Sequence, residues 1–397
     1  MVQQEHGPVT YGVIKESNQQ ESRVALTPEI VSRLKKSNVS CVIEQGAGEA
    51  SQFSDDQYDR AGASVVSRAD VFQQADVFGF INRPTDEDLA ALPSHAWIVG
   101  MLGSFTDQEY VSRLDQAGLT ALAMEKLPRQ LSSAQSMDEM TSQNSVMGYK
   151  AALLAADSYG SFFPMMTTAA GTIRPAKVLI LGAGIAGLQA IGTAKRLGAI
   201  VTGYDVRPAS RQEVESLGAK FLDLGLDFSQ GQGEGGYARQ LSKEEQSQQQ
   251  AAVDAKAAGF DVVITTAKVP GRRPPVLLTK NGVLGLHRGA VIVDCAASDL
   301  GGNVEGSKPG RTVTDNGVTI FGVPDLASGV ATTASNLAAR NLADVVSHFV
   351  TPEGLSFDLS QELDDALVVA GRNVPSSGQN VSDPDASDHK KGDGGNE

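Results

Sequence analysis

The chain has 397 residues, 41% of them apolar, and its 33 basic and 47 acidic side chains give a formal charge of −14. At roughly 100–200 residues per domain, two domains are expected. The acidic balance argues against nucleic acid and anionic lipid as partners, because both are bound through clustered lysine and arginine.

The first 140 residues alternate short β-branched runs with helical patterns. Candidate helices include Pro28–Lys36, preceded by Thr27 as N-cap, and Asp107–Gln116. The candidate strands are Tyr11–Ile14, Ser40–Glu44, Asp76–Ile81, Trp97–Met101 and Thr120–Met124. Repeated alternation of strand and helix predicts an α/β fold with a parallel sheet covered on both faces.

A polar segment, Met124–Ala152, begins where the last of these strands ends. Ligands of open α/β sheets bind outside the carboxyl ends of the strands, so this segment is a candidate ligand clamp. Its composition also fits a surface loop with helix caps. The polar side chains concerned are Arg129, Ser132, Ser133, Gln135, Ser136, Asp138, Thr141 and Ser142.

A helical run, Ser145–Tyr159, leads into a second block of strands. Within this block, Gly225–Gln250 is long, polar and glycine-rich, which is typical of a functional lid or a disordered loop. Leu337–Phe349 is a candidate helix, and Pro375–Glu397 has the composition of a disordered tail. The candidate strands are Lys177–Leu181, Ile200–Tyr204, Lys220–Leu222, Asp261–Thr265, Ala290–Val293 and Val318–Phe321.

The motif with the clearest chemical meaning is Gly182-Ala-Gly184-Ile-Ala-Gly187, which follows a buried strand and opens a helix. Gly182 permits the tight turn, Gly184 lets the backbone approach a pyrophosphate, and Gly187 lets the helix pack on the strand. The free N–H groups and the positive dipole of the helix N-terminus attract phosphate. The segment therefore predicts a dinucleotide site.

The next strand ends in Asp205, 18 residues beyond Gly187, where a carboxylate accepts from the adenosine ribose 2′-OH. An acid at this position favours NAD over NADP. Arg207 could serve a 2′-phosphate, or it could be a surface arginine or a pair at a helix start. The similar pattern at residues 231–236 follows no strand and opens no apolar helix, so it predicts a flexible loop instead of a second nucleotide site.

Other chemistry is poorly represented. Cys41 and Cys295 give neither a disulfide framework nor a CxxC pair, which is typical of a reducing compartment. The five histidines show no metal-ligand spacing, so no metal site is predicted. No stretch of about 18 uncharged apolar residues occurs, and the first residues lack the features of a secretory signal.

Several segments resemble the family of alanine dehydrogenase and the proton-translocating NAD(P) transhydrogenase α subunit. KESNQQESRVALTPE (Lys15–Glu29) and IEQGAGEAS (Ile43–Ser51) resemble the start that both branches share. The resemblance covers about Tyr11 to Phe349. The transhydrogenase branch is matched by INRPTDED (81–88), AQSMD (134–138), GYKA (148–151), residues 163–199, GGYA (235–238) and ITTAKVPGRRPPVLLT (264–279).

Two stretches separate the branches. Alanine dehydrogenase has a KVKEP motif with a substrate-binding lysine and a YLHLA motif with a catalytic histidine. Here the matching stretches are Phe80-Ile-Asn82-Arg-Pro84 and Met101-Leu-Gly103-Ser-Phe105. Because pyruvate and ammonia chemistry needs a proton donor and acceptor, their loss argues against an amino-acid dehydrogenase.

The resemblance also implies site residues. Catalytic roles fall on Gln135, Asp138 and Arg129, although the arginine-to-glutamine spacing is one residue longer than in the family's PRISRAQSMD. A mobile loop that closes over the nucleotide falls on Gly236 and Tyr237, and Lys268 stands where the family has an aliphatic residue. The implied cofactor-binding residues are Gly182, Gly184, Ile185, Gly187, Asp205, Val206, Arg207, Gly236, Tyr237, Gln249, Lys268, Arg129, Gln135, Ser136, Asp138 and Thr141.

The implied protein has two Rossmann-like domains with parallel sheets joined by helices. Residues 1–140 with 330–372 form the first domain, residues 146–323 bind NAD(H), and residues 375–397 form the tail. The implied activity is that of a Re/Si-specific, proton-translocating transhydrogenase with a split α subunit. Its separate NAD(H)-binding component passes hydride to NADP⁺ held by a partner subunit.

The implied partners are the membrane-spanning remainder of the split alpha subunit and the beta subunit, together with a second copy in a homodimer. The membrane-spanning chains would hold this one on the cytoplasmic side of the inner membrane. Two alternatives stay open. One is a soluble NAD-dependent dehydrogenase of the alanine dehydrogenase type. The other is an NAD-sensing regulatory protein that kept the fold.

Overall fold

The computed structural model describes residues 8–226, 239, 241–268 and 271–372. Its strands are β1 Thr10–Val13, β2 Ser40–Glu44, β3 Ser64–Val66, β4 Val77–Gly79, β5 Trp97–Gly100, β6 Thr120–Ala123, β7 Met166–Thr168, β8 Gly171–Ile173, β9 Lys177–Leu181, β10 Ile200–Tyr204, β11 Lys220–Phe221, β12 Val262–Thr265, β13 Val291–Asp294, β14 Gly310–Val313, β15 Thr319–Gly322, β16 Val350–Thr351, β17 Gly354–Leu355 and β18 Val368–Ala370. Its helices are α1 Pro28–Lys36, α2 Asp55–Ala61, α3 Arg68–Gln74, α4 Asp86–Ala91, α5 Gln108–Gln116, α6 Glu139–Ser158, α7 Ile185–Arg196, α8 Ala209–Ser216, α9 Lys243–Ala257, α10 Lys280–Gly285, α11 Ala331–Phe349 and α12 Glu362–Leu367.

The first sheet has the strand order β18-β6-β5-β4-β1-β2-β3. Its chain starts in the middle at β1, runs outward through β2 and β3, and then returns to β4 on the other side of β1. Tyr11 of β1 accordingly lies opposite Cys41 of β2 and Val77 of β4, both in parallel register. This order is that of a doubly wound fold, and its direction reverses between β1 and β4.

The second sheet repeats the arrangement, with the order β11-β10-β9-β12-β13-β15-β14 and a reversal between β9 and β12. The expected α/β fold with two Rossmann-like units is therefore confirmed. The edge strands differ from the expectation, because β18 and β14 run antiparallel to β6 and β15. Such short edge strands carry little periodicity of their own and escape sequence analysis.

Helix α6 connects the two sheets and begins earlier than predicted. The polar run before Ser145 hides its first turn, which starts after Asp138 acts as N-cap and accepts from the Thr141 N–H. Further along, Gly148 packs on the first turn of α7. A Cβ on Gly148 would lie 2.0 Å from the Ala186 carbonyl oxygen, so only glycine allows this approach.

The chain returns to the first sheet near its described end. Helix α11 begins at Ala331, six residues before the predicted start at Leu337, and buries Leu342 and Val346 with Val13 and Leu122. The pairing of β18 with β6 adds the last strand. A discontinuous first domain, 1–140 with 330–372, thus stays a prediction that these contacts support.

The predicted polar excursion Gly225–Gln250 is wrong at its carboxyl end. Helix α9 begins at Lys243, where Ser242 and Glu245 form a reciprocal capping box. Its glutamine-rich face carries almost no apolar pattern, so the helix is not recognisable by periodicity. Residues 227–238 and the predicted tail 375–397 lie outside the described residues.

Candidate dinucleotide-binding cleft

A cleft of about 1960 Å³ lies between the two sheets, at the carboxyl ends of their strands. Gly182 and Thr266 follow β9 and β12 on one wall, and Ile81 follows β4 on the other. Both topological switch points, where doubly wound folds bind ligands, therefore face the same space. The volume exceeds the roughly 300–1,000 Å³ of a pocket for one small molecule.

The glycine-rich loop has the shape that a pyrophosphate requires. Gly182 has φ +100°, and a Cβ on Gly187 would lie 1.8 Å from the Gly182 carbonyl oxygen, so both glycines are required by the turn itself. A Cβ on Gly184 would meet no other atom within 4 Å. The backbone here is thus exposed to open space at the N-terminus of α7, and these residues fit a bound dinucleotide.

Substitution of the three glycines on this loop and helix should separate folding from binding. Gly184→Ala is expected to melt like the wild type but to bind NADH about 1–3 kcal/mol more weakly, because the methyl group fills the space that a pyrophosphate needs. Gly187→Ala should lower the melting temperature. Gly192→Ala on the same helix, where the added Cβ meets only Arg196 at 3.6 Å, is the control that should change neither quantity.

Calorimetric titration with NADH and thermal melts check these expectations. Unimpaired NADH binding by Gly184→Ala would mean that the dinucleotide does not lie on this loop.

Asp205 closes the adenosine end of the loop but is not a free acceptor. Its Oδ2 accepts from the Ala183 N–H at 2.8 Å, and its Oδ1 accepts from Arg207 Nε at 2.9 Å. The Arg207 guanidinium also donates to Asp205 Oδ2 and to the Ala183 carbonyl. Of the alternatives for Arg207, the structure gives a pair with Asp205, and this pairing raises the pKa of the arginine.

The opposite wall brings together three residues that the sequence placed on the polar segment. Arg129 Nε donates to Asp138 Oδ2 at 2.8 Å, and its other nitrogen NH2 donates to Thr141 Oγ1 at 2.7 Å. The Thr141 N–H donates to Asp138 Oδ1 at 2.8 Å. The extra residue between Arg129 and Gln135 is taken up by the 3₁₀ turn Ser132–Met137, so the longer spacing still allows Arg129 to reach Asp138.

Gln135 and Ser136 behave differently from each other. Gln135 is exposed and lines the cleft, and its side chain has no hydrogen-bond partner among the residues that the structure describes. Ser136 is exposed but is absent from the cleft wall, and its carbonyl accepts from Asn341 Nδ2 at 2.7 Å. The expected contact of the Ser136 side chain with the nucleotide therefore has no support in the structure.

The remaining predicted residues are found along the same wall as the glycine loop. Gln249 lies on α9, is 2% exposed, and donates to the Tyr204 hydroxyl at 3.0 Å. Gly236 and Tyr237 lie outside the described residues. Four others line the cleft, namely Ile185, Val206, Gln249 and Lys268.

Sequence analysis missed several residues of the wall beside β1. Arg23 lies deep in this wall, where its guanidinium donates to both oxygens of Glu21 and to Gln143 and pairs with Asp325. Asn82 Nδ2 donates to Glu21 at 2.8 Å. The only signal was position, since both Asn82 and the buried Glu125 come soon after strands of the first sheet.

Two further classes of site are not seen where the chain is described. No group of three or more histidine, cysteine or acidic side chains is arranged to hold a metal ion among residues 8–226, 239, 241–268 and 271–372. In the same ranges, none of the helices combines the length and apolarity needed to cross a bilayer.

Comparison with known proteins gives a consistent result. Family models described as "Alanine dehydrogenase/PNT" match residues 12–147 with their N-terminal domain and residues 151–375 with their C-terminal domain. One relative is the NAD(P) transhydrogenase subunit alpha of Rickettsia prowazekii, in the first of the chains into which that subunit is divided. The two are 40% identical over 357 residues, which is 88% of this chain and 91% of the relative.

The solved structures agree. The crystal structure of transhydrogenase from Sinorhizobium meliloti superposes with a TM-score of 0.81 at 39% identity, covering 91% of this chain and 98% of that one. Alanine dehydrogenase 1 of Staphylococcus aureus is more distant, at 26% identity over 84% of this chain and 86% of the relative.

Proposed function

The chain belongs to the alanine dehydrogenase/PNT family, and within it we propose that the chain is the NAD(H)-binding component of a proton-translocating NAD(P) transhydrogenase with a divided alpha subunit. It holds NADH while hydride passes to NADP⁺ on a partner subunit. The observation that carries this proposal is one cleft with a built dinucleotide loop on one wall, an ordered polar clamp on the other, and space for more than one small molecule.

The residues divide the work along the cleft. The backbone N–H groups at the start of α7 would bind the pyrophosphate, and Asp205 and Val206 would flank the adenosine ribose. Arg129, Gln135, Asp138 and Thr141 would then contact the nicotinamide half. The bound dinucleotide supplies the hydride donor, and direct transfer needs reacting atoms about 3–3.5 Å apart with water excluded.

Cofactor choice follows from Asp205. We expect NADH to bind far better than NADPH, and Asp205→Ala to weaken NADH binding by about 1–2 kcal/mol, the value of a charge-assisted hydrogen bond. Because Asp205 also holds the Ala183 N–H and Arg207, Asp205→Asn is the matched variant, which keeps acceptor and shape while losing the charge. Equal calorimetric affinity of the wild type for NADH and NADPH would refute this assignment.

The alanine dehydrogenase alternative is not favoured. Asn82 and the Met101–Phe105 stretch stand where that branch has its lysine and histidine. The donors of Arg23 are directed to Glu21, Gln143 and Asp325, so this guanidinium is not poised to bind a substrate carboxylate. A catalyst for reductive amination would have to find both a proton donor and a carboxylate site elsewhere.

The proposed partners are the membrane-spanning remainder of the alpha subunit and the beta subunit, which would carry NADP(H) and hold this chain at the cytoplasmic face of the inner membrane. We also propose a homodimer. The hairpin β7–β8 and the residues before it support it, because Phe162, Met165 and Ile173 are 47%, 64% and 40% exposed and such apolar clusters mark interaction surfaces.

The deciding experiment compares two reactions of one preparation. Mixed with an NADP⁺-loaded partner domain, the chain should oxidise NADH at a rate that depends on partner concentration. With pyruvate, ammonia and NADH alone, it should show negligible oxidation. Robust oxidation in the second mixture would favour the dehydrogenase, and NADH binding without turnover in either would favour the regulatory protein.

A further inference from the structure

Glu139 is a buried carboxyl group on the cleft wall that the proposed transfer has not used. It is 1% exposed, it lines the cleft, and its Oε2 has no hydrogen-bond partner among the residues that the structure describes. It occupies the first position of α6, directly after Asp138. A buried charge without a partner is strongly unfavourable, so this group must be neutral or must meet a ligand.

The surroundings of Glu139 supply no compensating cation. The nearest guanidinium, Arg23, is already paired with Glu21 and Asp325. Burial, more than any other cause, raises the pKa of Glu139 to about 8, and Arg23 only partly opposes it. The charged and titratable groups that face it are Arg23, Glu125, Glu16, Glu21 and Tyr11.

The other carboxylates of this group are satisfied, which distinguishes Glu139. Glu125 accepts from the Ser104 N–H at 2.6 Å and from the Leu102 N–H at 3.1 Å. Glu16 accepts from the Ile81 N–H at 2.7 Å. The unpaired oxygen therefore belongs to one residue, and it is next to the clamp of Arg129, Asp138 and Thr141.

The position also identifies the portion of a ligand that would reach it. Helix α6 runs from Glu139 to Gly148, which packs against the first turn of α7, about 14 Å away at 1.5 Å per residue. A dinucleotide whose pyrophosphate lies on α7 and whose adenosine points to Asp205 must direct its other half toward the start of α6. That half carries a carboxamide, which has both a carbonyl acceptor and an N–H₂ donor.

We propose that Glu139 enters the cleft as a neutral carboxylic acid and binds the nicotinamide carboxamide of NADH, so that NADH binding depends on the proton that Glu139 holds. A protonated carboxyl offers one donor and one acceptor, which matches a carboxamide. The inference rests on the proposed NADH-binding function and adds a specific group to it.

The first test needs no nucleotide. Between the ordinary glutamate pKa of 4.5 and about 8, the folded chain keeps a proton that the unfolded chain releases, so the free energy of unfolding should fall as pH rises through this range. Glu139→Gln resembles the protonated acid and should remove that portion of the slope. Glu87→Gln, at an exposed first-turn position of α4, is the control that should keep it.

The second test is NADH binding by calorimetry below and above about pH 8. Wild-type affinity should fall up to about tenfold as Glu139 loses its proton, the worth of one hydrogen bond. Glu139→Gln should bind well at both pH values, and Glu139→Leu should bind weakly at both.

An identical pH dependence of unfolding in the wild type and Glu139→Gln would overturn the inference, whatever the chain binds. If NADH binds with the same pH dependence in both, the inference fails while the NADH-binding function stands. If the wild type binds no NADH at any pH, both fail together.

Discussion

Gln135→Asn is expected to slow hydride transfer to NADP⁺ by one to a few orders of magnitude while leaving NADH binding nearly unchanged. The side chain is exposed in the cleft and has no hydrogen bond to other described residues, so shortening it removes nothing that stabilises the fold. A carboxamide there can bond the nicotinamide ribose or amide and fix the ring. Misplacement of about 1 Å can cost about 100-fold in rate.

Stopped-flow transfer in the complex with an NADP⁺-binding partner measures this, alongside calorimetry and a melting curve of the isolated chain. Gln73→Asn, on the exposed face of α3, is the matched control and should leave all three unchanged. A wild-type transfer rate in Gln135→Asn would rule out a positioning role.

Asp138→Ala should reduce both stability and transfer. The carboxylate caps α6 through the Thr141 N–H, and losing such a cap costs about 1 kcal/mol. It also holds Arg129 at 2.8 Å, so the arginine would lose its fixed direction in the cleft. Transfer is expected to fall about 100-fold, as for other displaced positioning groups.

Asp138→Ser separates the two roles. Serine is a good N-cap and should restore the melting temperature, but it cannot hold the Arg129 guanidinium as a carboxylate does. Transfer should therefore stay slow in Asp138→Ser. Recovery of both stability and transfer would show that Asp138 is only a helix cap.

The second domain could be predicted almost residue by residue because its signals are local. Strands β9 and β10 match the predicted bounds, and Gly182, Gly184 and Gly187 take the roles that backbone geometry assigns them. A buried parallel strand is a continuous apolar run, and a tight turn into a helix requires glycine. Both facts are written in neighbouring residues.

Features that depend on distant contacts could not be predicted in the same way. The start of α6 at Glu139 depends on a cap followed by polar residues, which also fits a loop. The pairing of Arg207 with Asp205 was one of several open alternatives, because the sequence does not say where a long side chain turns. The orphaned carboxyl of Glu139 became recognisable only when β1, β4 and α6 met around it.

The most direct test of the central claim follows the hydrogen itself. NADH deuterated at the transferable C4 position is mixed with this chain and an NADP⁺-loaded partner domain, and the NADPH formed is examined by mass spectrometry. Transfer within one water-excluding cleft predicts that the deuterium appears in NADPH and that none reaches the solvent. Deuterium lost to water, or NADH consumed without NADPH, would contradict the account.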